Sequence, residues 1–408
     1  MEAPKLYTVL FNFHDVILLM TAMQCLFCFL LLSVTAYRKS MSMSMSMSII
    51  FLALFLFAHA LIPINEMMMW GAEFKDIARE RLTNFYFIPA IAYYLDGALL
   101  FLCFKSLAFK DFSLTRLDLL HLVPLTIYII FIWTTFYSQP QELRLEMINS
   151  ETFVYSANFV SMEFFSKWVR VFYGIGCFVL ISRYSSLLQN TNSNMEKVHI
   201  SWLRALVIGF LMVMVSETLL IGAKIANVFP DFSFAQAQLS NIGLTGYYIT
   251  FALVNLLMFT AVRYFGAFEQ VTEIAVDKKA SDEEFLQPEM AARVDGEIRK
   301  HKIYMEPDIT LDSLAEALDI MPRDLSTLIN RHFGINYYEF INRYRIEEAR
   351  HMLASSDYKN TTITDIYLRV GFNSKSVFYT FFKKIEGVTP TQFRQNANLP
   401  SESDDTRE

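Results

Sequence analysis

Hydrophobic and polar residues follow two different rhythms along this chain. Up to about residue 265 the apolar positions run together in seven stretches, at about 15–37, 49–70, 84–106, 117–137, 165–184, 201–224 and 241–263. Each is close to the ~20 residues that a helix needs to cross ~30 Å of hydrocarbon, so the pattern predicts a bundle of membrane-spanning helices. The first stretch does not read as a cleavable leader, since no basic region precedes it and its apolar run is too long. Arg170 interrupts the fifth. Between Gly266 and Asp295 there is little periodicity, and the run from Asp277 to Glu284 is charged. About 30 flexible residues of this kind span ~30 Å on r.m.s. average.

Past this linker, single apolar residues recur at helical spacing, and they do so twice. Leu311, Leu314 and Leu318 match Ile363, Ile366 and Val370, each set at i, i+3, i+7. Thr310 and Thr362 precede the two sets where helix N-caps belong. After turns that differ by one residue, Leu325, Ile329 and Gly334 match Phe378, Phe382 and Gly387. Pro322 and Ser374 open the helices that carry them, and Pro is tolerated in a first turn. Between the two units, Tyr337 to Ala354 reads as one amphipathic helix with Phe340, Ile341, Tyr344, Ile346, Ala349 and Leu353 buried. Its eighteen residues span about 27 Å. The predicted fold class is all-α: a seven-span transmembrane bundle over 1–264, a linker over 265–295, a soluble tandem helix-turn-helix domain over 296–397, and a disordered tail over 398–408.

Composition sharpens that boundary. The chain is 54% hydrophobic and 15% aromatic, and only 19% of it is charged, against ~25% in soluble domains. Mean hydropathy is +0.31. The net charge of -6 does not advertise a nucleic-acid partner. Residues 296–394 hold 14 Lys/Arg against 13 Asp/Glu, so any such role depends on where the charges sit. Cys25, Cys28, Cys103 and Cys177 all fall in apolar stretches, where cysteine behaves as a small hydrophobe. Cys25 and Cys28 form a CxxC with no redox or metal partner nearby. The alternating Ser and Met from Ser40 to Ser48 offers soft sulfur but no His or Cys, and reads as an interhelical linker. No metal site and no cofactor are predicted.

Charge inside the apolar stretches costs at least ~2.5–3.5 kcal/mol per group, so such residues face a bundle interior. His59, Glu66, Asp96, Arg170 and Glu217 sit within or at the ends of the stretches. They read either as structural polar contacts between helices or as a pocket for a signal. Trp70, Trp133, Trp168 and Trp202 lie near stretch ends, as interfacial aromatics do. Basic residues favour one orientation only modestly.

The motifs of the tail carry a resemblance. Gly371-Phe372, Phe382-Lys383-Lys384, Gly387-Val388-Thr389-Pro390 and Phe393-Arg394 occur in order behind a long connecting helix. The stretch from Glu297 to Asn396 resembles the AraC/XylS family of bacterial transcription regulators. The first unit departs from the family pattern, with Asp319-Ile320 where Gly plus an aromatic is common and Ile329-Asn330 where Phe-Lys is common. The resemblance implies that the second helix of each unit enters the DNA major groove, with base contacts from Arg323, Ser326 and Thr327 and from Lys375, Ser376 and Thr380. Arg and Lys can donate to guanine O6 and N7, and hydroxyls suit either base type. Arg331, Arg369, Lys383 and Lys384 read as phosphate contacts, which position without specifying. Promoter DNA and RNA polymerase are the implied partners, with activation the favoured output, and a homodimer is open. A DNA reader must lie in the cytoplasm, so seven spans in a bacterial inner membrane would leave the N-terminus outside. No catalytic constellation is evident, and the predicted role is a non-enzymatic membrane sensor of an unknown signal ligand or membrane partner. A transporter or membrane enzyme with an autoregulatory tail is the alternative, and a passive anchor is a third reading.

Overall fold

The computed structural model describes residues 11–38, 43–109, 112–194, 200–226, 236–264 and 288–397. The linker run from Asp277 to Glu284 and the tail 398–408 lie outside the described residues, as does most of the side-chain detail of the Ser-Met segment. Among the described residues the named elements are helical, and an isolated antiparallel bridge joins Asn192 and Thr310. The chain divides into two compact units: Met1–Arg183 with Ile200–Thr272, and Tyr184–His199 with Glu273–Glu408.

The first unit begins with α1 (Phe13–Arg38). Asn12 starts it by accepting from the Asp15 backbone N–H at 2.8 Å, while Asp15 accepts from the Asn12 N–H at 3.1 Å, a reciprocal cap. Next come α2 (Met43–Trp70) and the short α3 (Phe74–Arg81). The third apolar stretch is not one helix. Pro89 lacks an amide hydrogen, and 3-10 turns over Thr83–Phe85 and Pro89–Tyr94 precede α4 (Asp96–Ala108). The fourth is also mixed, with a 3-10 start at Arg116–Leu122, α5 (Val123–Ile132) and a π turn at Trp133–Tyr137. After α6 (Gln141–Asn149), α7 runs over Ala157–Thr191, a 35-residue helix and about 52 Å long. It overruns the predicted fifth stretch at both ends. Then α8 (Ile200–Ala226) and α9 (Gln236–Tyr264) cover the sixth and seventh stretches.

Among the described residues, five helical segments are long and apolar enough to cross a membrane: Phe13–Val34, Ser46–Trp70, Thr83–Ala108, Arg116–Tyr137 and Ala157–Thr191. In α8 the apolar part is the shorter Val207–Ala223. Small residues let these helices approach closely. A Cβ on Gly97 would stand 2.9 Å from Tyr173, and one on Gly209 would stand 2.4 Å from the side chain of Leu253. The segment Arg116–Tyr137 is the least covered, with Leu117, Leu119, Leu120, Ile130 and Trp133 all mostly exposed.

Besides the end of α7, the second unit holds α10 (Pro288–His301), whose Ala291, Val294 and Ile298 are buried. This helix starts inside the segment expected to be linker. Following it are α11 (Leu311–Ala317), α12 (Pro322–Arg331), α13 (Tyr337–Ala354), α14 (Ile363–Arg369), α15 (Lys375–Glu386) and α16 (Pro390–Ala397). Thr310 caps α11 and Thr362 caps α14 through their hydroxyls, as the sequence predicts. The bounds of α13 are those expected. Its first half joins one apolar core with Val294, Ile298, Leu314, Leu325 and Ile329. The second half joins another, with Ile366, Val370, Phe378 and Phe382. One helix therefore serves as a wall of both cores.

Candidate nucleic-acid interface

In each repeat a short helix, a tight turn and a second helix follow in order. The turns are built alike despite their different residues. Asp319 takes a φ of +52° and the Ile320 amide donates to Ala315 O at 2.9 Å; Gly371 takes +93° and the Phe372 amide donates to Tyr367 O at 2.9 Å. Left-handed backbone suits Gly at no steric cost, and Asp tolerates it better than most residues. Leu325, Leu328 and Ile329 bury one face of α12, and Phe378 and Phe382 bury one face of α15.

The opposite faces carry the residues singled out from the sequence. On α15, Lys375, Ser376, Thr380, Lys383 and Lys384 are exposed; on α12, Arg323, Ser326 and Thr327 are half-buried and Arg331 is exposed. Arg369 is exposed at the end of α14. Thr327 and Thr380 donate their hydroxyl hydrogens back to Arg323 O and Ser376 O, at 2.9 and 2.8 Å. Their free lone pairs thus make them acceptors toward any outside partner. Two features were missed. Asn330 donates to Ser326 Oγ at 3.3 Å and so belongs to the same face. Lys384 is tied to Glu339 of α13 at 3.2 Å, a carboxylate that Arg343 also reaches at 3.1 Å. Burial pushes the Glu339 carboxyl up, but the bonds from Lys384 and Arg343 outweigh it and hold the group below its ordinary range. Lys375 Nζ lies 5.5 Å from the centre of the Tyr379 ring.

In the first unit of the fold, three of the five ionisable residues expected at a pocket form one network. Arg170 Nε donates to Asp96 Oδ2 at 3.1 Å, and its Nη1 reaches Glu217, which Lys167 also meets at 3.1 Å. His59 Nδ1 stands 3.6 Å from Asp96 Oδ2, while the ring packs against Phe55 and Phe210. Glu66 accepts instead from the hydroxyls of Tyr93 and Tyr247, the latter at 2.7 Å. Lys167, which sequence reasoning passed over, also lies 3.9 Å above the Tyr93 ring. Asp96, Arg170, Glu217 and Lys167 are thus spent on one another, and none of the five expected residues lines a water-sized void beside Trp70, Arg79 and Glu151.

Each repeat thus presents the second helix of a helix-turn-helix with polar and cationic residues on the face turned away from its core. Comparison with known proteins agrees: residues 314–396 match a family described as "Helix-turn-helix domain", and this C-terminal segment is a helix-turn-helix domain of the AraC type. The chain is 31% identical over 123 residues to an HTH-type transcriptional regulator, YtdP, of Bacillus subtilis, covering 28% of this chain and 16% of that protein. It is 30% identical over 95 residues to the regulatory protein PocR of Salmonella typhimurium, covering 23% of this chain and 30% of PocR. With the transcriptional activator RhaS of an Enterobacter species the identity is 28% over 88 residues, 22% of this chain and 31% of RhaS. The match thus spans less than a third of each of these relatives. No solved structure matches.

Proposed function

We propose that the protein is a membrane-embedded one-component transcription regulator, in which a signal perturbs the helical bundle and alters sequence-specific DNA binding by the C-terminal unit. The carrying observation is the union in one chain of an AraC-type tandem helix-turn-helix with helices of membrane-crossing length and apolarity, five of them among the described residues. Similarity to named regulators supports transcription control over catalysis. The exposed leucines of Arg116–Tyr137 fit contact with lipid. With α8 and α9 as sixth and seventh spans, the segment after α7 and the tail fall on the same side of the membrane. The N-terminus is then outside and the DNA reader in the cytoplasm of a bacterium, with RNA polymerase as the partner for activation.

On this reading Arg323, Ser326, Thr327, Lys375, Ser376 and Thr380 contact bases, while Arg331, Arg369, Lys383 and Lys384 contact phosphates. The Asp96–Arg170–Glu217 network, with His59 and Glu66, is where the signal acts. Genome-wide mapping of bound DNA, with the intact bundle and with an unrelated membrane anchor in its place, tests the proposal. Discrete promoter sites whose occupancy responds to conditions only with the native bundle are the expected result. Occupancy indifferent to that swap would make the bundle a passive anchor. Arg323→Ala or Lys375→Ala should cost ~1–3 kcal/mol at a cognate site and little on random DNA.

A further inference from the structure

The short segment that follows α7 makes contacts that the reading above does not use. Asn192 pairs with Thr310 in an antiparallel bridge, and the Ser193 amide donates to Ile309 O at 3.3 Å. Asn194 Nδ2 reaches Asp308 Oδ1 at 3.4 Å. Ser193 is buried, and both its oxygens face Arg345: Nη1 donates to Ser193 O at 3.3 Å and Nη2 to Ser193 Oγ at 3.2 Å. The remaining acceptors of Arg345 are Tyr304 O, Glu306 O, Pro307 O and Asn342 Oδ1. No carboxylate is among these acceptors, and burial pushes the guanidinium pKa down to about 10. A buried cation satisfied by carbonyls is sensitive to the loss of any of them.

These contacts reach both DNA readers. Thr310 is the N-cap of α11 in the first repeat. In the second, Asn373 Nδ2 donates to the same Asp308 carboxylate at 3.2 Å. Arg345 lies 5.7 Å from the ring centre of Phe372, and its Nε would stand 3.0 Å from a Cβ at Gly371. We infer that Asp308, Ile309, Thr310 and Arg345 form a docking surface for the chain's own segment Asn192–Asn194, and that docking fixes the orientation of the two helix-turn-helix repeats relative to each other. Undocking removes the cap on Arg345 at the joint where the repeats meet, and the spacing at which they read successive major grooves is relaxed. The inference rests on the DNA-binding reading above and names one way it is regulated.

The test uses the full chain in phosphatidylethanolamine–phosphatidylglycerol nanodiscs and duplexes selected by the wild-type protein from a random library. Asn192→Cys with Thr310→Cys places two thiols at a bridge pair, where Cα separations of about 4.5–5.5 Å suit a disulfide. The four native cysteines are all buried. Oxidation should lock the segment down, and Ser193→Pro, which lacks both the amide hydrogen and Oγ, should release it. Each is assayed on the selected duplex and on versions with one base pair inserted or removed between the two contacted segments. Expected is a penalty of tenfold or more for altered spacing in the locked form and in wild type, falling below threefold in Ser193→Pro. The same penalty in locked and released forms, or no disulfide on oxidation, overturns the inference and leaves the DNA-binding reading standing. Failure of the wild-type chain to enrich any duplex would sink both. If Ser193→Pro does not fold, Ser193→Ala combined with Asn194→Ala, which removes the side-chain bonds to Arg345 and Asp308, takes its place as the released form with the same expected fall in penalty.

Discussion

Asp319 and Gly371 occupy equivalent turns, and the space around Gly371 makes it the more demanding position. A Cβ there would come within 2.8 Å of Met305 O, at a φ of +93°. Gly371→Ala should therefore destabilise the C-terminal unit by about 1–3 kcal/mol, whereas Asp319→Gly should change its stability by less than ~1 kcal/mol. Pulse proteolysis of the C-terminal unit in the full chain measures both. Lys384 makes a second residue-scale case, because on the proposed reading Glu339 competes with phosphate for it. Lys384→Ala should weaken binding to all duplexes alike and reduce the salt slope by about 0.9. Glu339→Gln should strengthen binding a few-fold on every duplex, since the exposed pair it breaks is worth only ~0.2–1 kcal/mol. Filter binding across a salt series separates these effects from lost base contacts. The folded carboxyl of Glu339 lies below its ordinary 4.5, so what the pair adds is present above that value and is lost as pH falls through the folded one. Thr310 and Thr362 could be read as caps because their signals are local in sequence. Arg345 could not, since an arginine within an amphipathic helix gives no sign that backbone carbonyls from distant segments will enclose it.

At the scale of elements, α10 is the main addition to what the sequence offered. Its apolar positions Ala291, Val294 and Ile298 are few and set among charges, so the stretch resembles a solvated linker until the first core is seen to need them. Ile298 is fully buried; Ile298→Ala should cost the C-terminal unit ~2–5 kcal/mol, readable by the same proteolysis, whereas a true linker residue would cost nothing. By contrast α13 was legible to the residue, because its periodicity is sustained and it is bounded by Asn336, whose side chain accepts the Glu339 amide at 2.8 Å. Within the bundle, hydropathy located the third and fourth stretches but not their interruptions. A sliding count of apolar residues cannot register the donor that Pro89 lacks, nor the 3-10 start that Thr115 and Asp118 cap together.

For the whole molecule, the proposed seven-span topology makes a directional prediction. A cysteine-reactive reagent that cannot cross membranes should label an introduced thiol near residue 2 in intact cells and one near residue 405 only after lysis. The reverse pattern, or equal labelling of both, would remove the DNA reader from the cytoplasm. Sequence pattern alone named the ionisable residues of the bundle, yet not their partners, because pairing depends on helix order and rotation that hydropathy does not encode. That is why Lys167 escaped notice beside Arg170 and Glu217. The contact between Gly209 and Leu253 has a mechanical corollary. A leucine seated where a side chain is missing meshes α8 with α9 like a tooth in a gear. On the proposed reading, a twist applied to α8 at Glu217 would be passed through that leucine to α9.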